Sequence, residues 1–244
     1  MISVVIPTLD EEAALPATLA ALAAQREAPP WEAILADGGS RDRTITLFEA
    51  AAGPFEAAGR AAAGRRIVGR VVRCAARGRA AQMNAGAAEA RGDALLFLHA
   101  DTLLPRDGLA AMARALADPG VAGGGFRLAF LETDVRLRVV GAWATWRSRL
   151  TGIHYGDQAM FLRCDLFRRL GGFPPLPLFE DLRLARLLRK EGNVITLPCP
   201  VSTSGRRLLE GGVLKTCLRF AWLKARHALG TDPARLHREY RDVR

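Results

Sequence analysis

Apolar residues follow two different periods along the first 105 positions. Ile2–Pro7, Trp31–Asp37, Ile67–Arg73 and Ala94–Leu98 are short, nearly continuous apolar runs, the length and texture of buried strands. Between them the spacing turns helical. Leu15, Leu19 and Leu22 recur at intervals of three and four. Ser40 offers an N-cap for a helix through about Ala52, and the Ala-rich stretch from Gly78 to about Arg91 reads as another helix. Residues 53–66, rich in Gly, Ala and Arg, read as a helix extension plus a mobile loop. Strands alternating with helices predict a parallel sheet with right-handed crossovers.

The second half is less regular. Val121–Phe130 reads as a strand and Thr133–Leu150 as a helix carrying Trp143 and Trp146 on one face. These tryptophans can stack on a sugar or lie against lipid, but a core position is the simpler expectation. Gln158–Arg163 resembles another strand, Gly171 and Gly172 break the chain before FPPLPLFED, and Asp181–Lys190 reads as a basic helix. Residues 193–200 read as a strand ending in Pro198-Cys199-Pro200. Leu214, Leu218, Trp222, Ala225 and Leu229 then line one face of an amphipathic helix. The expected fold class is α/β: a mostly parallel sheet flanked by helices over residues 1–205, with a C-terminal amphipathic helical appendage over 206–244.

Composition adds three constraints. Half of the 244 residues are hydrophobic, enough for a sizeable core. A formal charge of +10 suits an anionic partner, although an arginine-rich composition alone produces the same bias. Cys74, Cys164, Cys199 and Cys217 form neither a CxxC pair nor a cluster of zinc spacing, which fits a reduced cytosolic compartment. No signal-peptide pattern opens the chain, and no apolar run approaches the roughly 20 residues of a membrane-spanning helix.

The candidate chemistry sits where strands end. Open α/β sheets bind ligands outside the carboxyl ends of their parallel strands. The first strand runs into Thr8, Asp10 and Glu11, which can hold a nucleoside or simply suit the positive end of a helix. The second ends in LADGGSRDRT, where Asp37 can accept a hydrogen bond from a base N–H or merely form a turn. In GRAAQMNAG, Arg79 opens a helix, a place for a diphosphate, although a plain surface arginine is the better reading of this stretch alone. ALLFLHADTLLP ends its apolar run in His99, Ala100 and Asp101. Asp101 supplies a carboxylate of the kind that holds Mg²⁺ or Mn²⁺ against phosphate oxygens, and an imidazole at His99 suits Mn²⁺ better than Mg²⁺. His99 is otherwise a strand-end histidine bonded to backbone. Glu180 and Asp181 begin a helix after a Pro-rich turn, as helix-start acids or as a general base.

Taken in order, IPTLDEE, ADGGSRDRT, GRAAQMNAG, FLHADTLLP and LGGF…FED resemble the family 2 glycosyltransferases of the GT-A (Rossmann-like) fold, from Ile2 to about Pro200. The resemblance implies an inverting transfer of sugar from a nucleoside-diphosphate sugar, a UDP-sugar first, to a hydroxyl of a small-molecule or lipid acceptor. It implies donor contacts at Pro7, Thr8, Leu9, Glu11, Asp37, Arg79 and Ala100. It implies Mn²⁺ or Mg²⁺ at Asp101 with His99, and Asp181 as base beside Glu180. Three positions depart from the pattern: His99 stands for the first acid of the DxD motif, Asp10 for an asparagine, and Leu9 for a tyrosine that would stack on the base. HADT, GDQAMF and FED further resemble a small bacterial subgroup associated with arsenosugar biosynthesis. The expected setting is cytoplasmic, with peripheral membrane contact or a homodimer through the C-terminal helix. The alternatives are a nucleotidyltransferase, for which the N-terminal phosphate loop and lysine are missing, and a non-enzymatic nucleic-acid binder. Scattered arginines and 7% aromatics argue against the latter, so no nucleic-acid partner is expected.

Overall fold

The computed structural model describes residues 1–53, 67–76 and 78–241. The first half alternates as expected: β1 (Ile2–Thr8), α1 (Leu15–Ala23), β2 (Trp31–Asp37), α2 (Thr44–Ala51), β3 (Ala52–Gly53), β4 (Ile67–Arg73), α3 (Arg79–Ala88) and β5 (Ala94–Phe97). The second half comprises β6 (Thr102–Leu103), α4 (Gly108–Leu116), β7 (Val121–Phe130), α5 (Val135–Thr151), β8 (Phe161–Arg163), α6 (Cys164–Arg169), α7 (Glu180–Leu188), β9 (Asn193–Thr203), α8 (Arg206–Glu210), α9 (Val213–Ala228) and α10 (Pro233–Arg241). Among the described residues nine strands form one sheet in the order β3-β4-β2-β1-β5-β8-β7-β9-β6.

The left half of the sheet is parallel. β1 pairs with β2 and β5, and β2 with β4, while β8 and β6 run antiparallel to their neighbours. Both sheet faces are covered, which explains the unbroken apolar runs. Val4 and Ile6 of β1 point into one core cluster with Leu15, Leu19, Phe48 and Met112. Val5, between them, points into the other with Met83, Phe167 and Leu184. The parallel register places Thr8 opposite Asp37, so the two strand ends finish level.

Several expectations need correcting. Ser40 does not cap a helix: α2 starts at Thr44, with Arg43 at its N-cap position. The reason is local competition, because the Ser40 hydroxyl donates instead to the Asp37 carboxylate at 2.5 Å. Asp10, Glu11 and Glu12 precede α1 by several residues, and its first turn carries no acid, so they are not complements to its dipole. Residues 156–158 form a 3-10 turn rather than strand, and Ala159 takes a left-handed φ of 47° before β8 begins. β9 does not stop at Pro198-Cys199-Pro200. Its register with β7 jumps from Phe126↔Leu197 to Arg127↔Pro200, a bulge that absorbs residues lacking a ladder donor. Trp143 and Trp146 are not core residues: they are 60% and 53% exposed. Of the segment expected to extend a helix into a loop, Gly53 belongs to β3 and residues 54–66 lie outside those described.

α3 carries the candidate Arg79, and a close contact with the sheet sets its position. A Cβ at Gly86 would lie 2.5 Å from Val5 Cγ1 and 3.3 Å from Ala36 Cβ. Glycine is thus needed for contact, not for backbone freedom. Gly86→Val should lower Tm by about 4–10 °C in a thermal melt, the cost of overpacking by ~1–3 kcal/mol outweighing the helix-propensity gain. An unchanged or higher Tm would mean that α3 can lift off the sheet freely.

Candidate active site

Two loops at the carboxyl ends of β1 and β2 are stitched together. Asp10 N–H donates to Ser40 Oγ, Glu11 N–H to Thr44 Oγ1 and Glu12 N–H to Asp42 Oδ2, and Arg41 N–H returns to Asp10 Oδ1 at 2.7 Å. Asp10 sits at φ 55°, a left-handed conformation that Asp and Asn tolerate better than other non-glycine residues. Asp37, buried, accepts from the Gly39 and Ser40 amides and the Ser40 hydroxyl. Its carboxylate is therefore fixed in orientation with acceptor capacity to spare.

Gln82, which the sequence did not single out, holds this edge from below. Its buried amide donates to the carbonyls of Thr8 and Ala36, linking the ends of β1 and β2. A Cβ on Gly38 would meet Gln82 Nε2 at 2.8 Å, so the Gly-Gly turn is shaped to this side chain. Asn84, two residues along α3 in the same stretch, exchanges two hydrogen bonds with the Phe173 backbone and anchors the loop leading to α7. The signal for both lay in GRAAQMNAG, as polar residues on an otherwise Ala-rich helix.

Arg79 is no isolated surface arginine. Its Nε donates to Glu180 Oε1 at 2.5 Å, joining the start of α3 to the start of α7. Burial opposes its charge, but the carboxylates of Glu180 and Asp181 outweigh that effect and raise its pKa. Phe179, just before Glu180, is held at φ 67°, strained for an aromatic residue, and turns the chain sharply so that Glu180 and Asp181 face inward. Asp181 Oδ2 accepts the Gly156 N–H at 2.9 Å. Gly156 also lies against His99: a Cβ there would be 2.6 Å from His99 Nε2. Asp181, Gly156 and His99 thus share one small space.

Electrostatics tie the remaining residues to it. Burial and the Arg79 charge depress the His99 pKa to about 3, against an opposing pull from Asp181, so the imidazole is neutral near pH 7. Its Nε2 is buried without a hydrogen-bond partner. The Glu11 carboxyl is raised by burial and by Asp101, which places those two acids within each other's field. Arg207 of α8 acts on both Glu11 and His99. The structure therefore gathers Glu11, Arg79, His99, Asp101, Glu180 and Asp181 at one end of the sheet, beside Thr8 and Asp37. Pro7 lies within β1, Leu9 is largely exposed beyond it, and Ala100 is buried with its carbonyl accepting from Thr18. A separate cleft of about 300 Å³, lined by residues 90–93, Cys164, Asp165 and Arg168, lies near the amino ends of β1 and β5, away from this cluster.

Sequence reading also missed Asp157. It lies in the turn held by Arg147, which donates to the Ile153 carbonyl and to Gln158 Oε1. Asp157 Oδ1 has no partner, and burial together with Asp181 pushes its pKa up to about 6. GDQAMF contained it, but only as part of a resemblance. Among the described residues no three His, Cys, Asp or Glu side chains converge tightly enough to hold a metal unaided. The orphaned His99 nitrogen and the Asp101 carboxylate are, by donor type, groups that Mn²⁺ or Mg²⁺ takes together with phosphate oxygens.

A mixed α/β sheet flanked by helices, with its chemistry at the ends of parallel strands, is the architecture of the GT-A glycosyltransferases. The chain belongs to glycosyl transferase family 2, whose sequence model matches residues 3–170. No curated protein matches it. Among solved structures it is similar to S. aureus TarS 1-349 in complex with UDP (16% identity, TM-score 0.62, 84% of this chain and 61% of that one). It is also similar to the mannosyltransferase PcManGT from Pyrobaculum calidifontis in complex with GDP-Man and Mn²⁺ (22% identity, TM-score 0.63, 83% and 56%). The chain therefore spans less than two thirds of either relative, and the likeness is one of fold.

Asp157 gives a stability test. With its folded pKa raised to about 6, the folded state holds a proton that the unfolded state has lost. Stability therefore falls as pH rises through the range from the ordinary aspartate value to about 6, and the charged form is a liability at neutral pH. Asp157→Asn should raise Tm at pH 7.5 by the equivalent of ~1–2 kcal/mol, or ~2–6 °C, with the gain disappearing at pH 4. A lower Tm at pH 7.5 would mean that a cation stabilises the carboxylate.

Proposed function

We propose that the chain transfers a sugar from a nucleoside-diphosphate sugar to an acceptor hydroxyl with inversion at the anomeric carbon. The convergence of Arg79, Asp101 and Asp181, drawn from three separate segments, onto the edge that ends in Thr8 and Asp37 carries this reading. Family membership supports it, as do the nucleotides in the TarS and PcManGT complexes. The domain assignment retained is 1–205 for transfer and 206–244 for the helical appendage.

In this reading Asp37, pinned by its own turn, accepts from the base N–H, and the loop from Pro7 through Leu9 to Glu11 flanks the nucleoside. Ala100 places its backbone beside the sugar. Asp101 and His99 would hold Mn²⁺ or Mg²⁺ together with diphosphate oxygens, and that ion supplies charge stabilisation to the leaving group. Arg79 meets the same developing charge from the helix α3 side. Asp181 takes the acceptor proton on a carboxylate oxygen while the acceptor oxygen bonds to C1. The C1–O bond to the diphosphate breaks, and the nucleoside diphosphate leaves with the electron pair. Glu180, already engaged by Arg79, acts as a positioning residue for Asp181 rather than as a second base. The resemblance of HADT, GDQAMF and FED to the arsenosugar-associated subgroup makes a small polar acceptor the first to screen.

Two measurements test the proposal. In a thermal-shift screen of UDP-, GDP- and dTDP-sugars, the right donor at hundredfold excess over its Kd should raise Tm by about 5–10 °C, and Asp101→Asn should abolish the Mn²⁺-dependent part. No shift with any nucleotide would overturn the donor assignment. Asp181→Asn should cut transfer by about 10²–10⁴-fold while leaving donor binding intact, the signature of a lost general base. Near-wild-type turnover would reassign that role.

A further inference from the structure

Two helices of this protein show solvent the same pattern. α5 exposes Val135, Val139, Trp143, Trp146 and Leu150, at i, i+4, i+8, i+11 and i+15. α9 and the residue after it expose Leu214, Leu218, Trp222, Ala225 and Leu229 at the identical spacing, with a tryptophan again in third place. The large apolar side chains of both stripes are 53–86% exposed. Opposite faces anchor each helix: Leu137 and Thr145 of α5 are buried, and Leu223 of α9 packs with Phe179, Leu182 and Leu236. The stripes are therefore the outer faces of well-seated helices, not loose ends. Trp143 and Trp146 stack on each other at 4.9 Å.

Basic residues predominate around the stripes, although Asp134 pairs with Arg136 and Glu239 with Arg226. α5 contains Arg136, Arg138, Arg147 and Arg149, and α9 contains Lys215, Arg219, Lys224 and Arg226, with no Asp or Glu in either helix. Arg138, Arg149 and Lys215 are exposed and belong to no ion pair among the described residues. The two helices meet at Tyr155, whose ring lies 4.1 Å from the Arg147 guanidinium and 5.2 Å from the Lys224 ammonium.

We propose that α5 and α9 together form a docking face for an anionic lipid bilayer. An apolar stripe with tryptophan, flanked by Arg138, Arg149 and Lys215, unpaired among the described residues, matches the interfacial zone of such a membrane. The charge rules out a second copy as the matching occupant. Two such faces would oppose like charges in a chain whose net charge is already +10. Among the described residues no helix is long and apolar enough to cross a membrane, so the contact is one of lying on the surface. The face adjoins the acceptor side, because Tyr155 is next to Gly156, whose N–H donates to Asp181. Docking would bring the base carboxylate to the bilayer boundary. This inference does not depend on which nucleotide sugar is bound.

The test is co-sedimentation of the whole chain with vesicles. Phosphatidylcholine–phosphatidylglycerol vesicles should capture it at least about tenfold more strongly than phosphatidylcholine alone, and raised salt should weaken the capture. Trp143→Glu with Trp222→Glu, both at exposed sites, should reduce capture about tenfold or more while leaving the circular-dichroism spectrum and Tm unchanged. Equal capture of wild type and double variant would overturn the proposal, as would absence of capture by anionic vesicles. A wild-type dimer in analytical ultracentrifugation that the double variant converts to monomer would assign the face to a second copy instead.

Discussion

The contact between Arg79 and Glu180 joins residues 101 positions apart and sets the geometry of the candidate active site. Arg79 opens helix α3, which lies on the sheet through Gly86, and Glu180 opens helix α7, which carries Asp181. One ion pair therefore fixes Arg79 at the start of α3 relative to the Asp181 carboxylate at the start of α7. Glu180 is only 1% exposed, and its other oxygen lacks a partner. A buried carboxylate in that state is costly to leave uncompensated, so the arginine is needed for structure as well as for charge. The left-handed Phe179 belongs to the same arrangement: its strain persists because Asn84 fixes the preceding loop at Phe173 and the ion pair fixes the following helix.

The surroundings of His99 keep its imidazole neutral, while Arg79 and Arg207 add positive charge from two sides. Under the proposed reading that balance favours an anionic leaving group. Asp157 contributes the opposite sign beside Asp181. Arg79 and Arg207 on one side and Asp157 and Asp181 on the other meet at the space shared by Gly156, His99 and Asp181.

Much of this was legible in the sequence, for reasons that differ residue by residue. The parallel half could be read because both faces of β1 are buried, so Val4, Val5 and Ile6 leave an unbroken apolar run whose polar terminus marks the functional edge. Asp37 and Asp101 were visible for the same reason, and Asp181 because it begins a helix after a Pro-rich turn. Gln82, Asn84 and Asp157 were not, because their significance depends on partners that only chain closure supplies, such as the Thr8 carbonyl 74 residues away. Helical periodicity identified the stripe of α9 and the shared face of Trp143 and Trp146 in α5 but could not say which side of each helix met the core. Trp143 and Trp146 were assigned inward on the weight of their size, and the structure turns them out. Ser40 was misread because a hydroxyl near a strand end can serve either a helix amide or a neighbouring carboxylate, and Asp37 is closer.

The central claim is that the carboxyl ends of β1, β2 and β5 form a donor site facing Asp181. A crystal structure of the chain with UDP or GDP and Mn²⁺ tests it most directly. The account predicts the base against Asp37 and the Thr8–Glu11 loop, the diphosphate between Arg79 and Asp101, and the ion within bonding distance of Asp101. Nucleotide density elsewhere, such as in the cleft beside Asp93 and Cys164, or a diphosphate remote from Arg79, would contradict it.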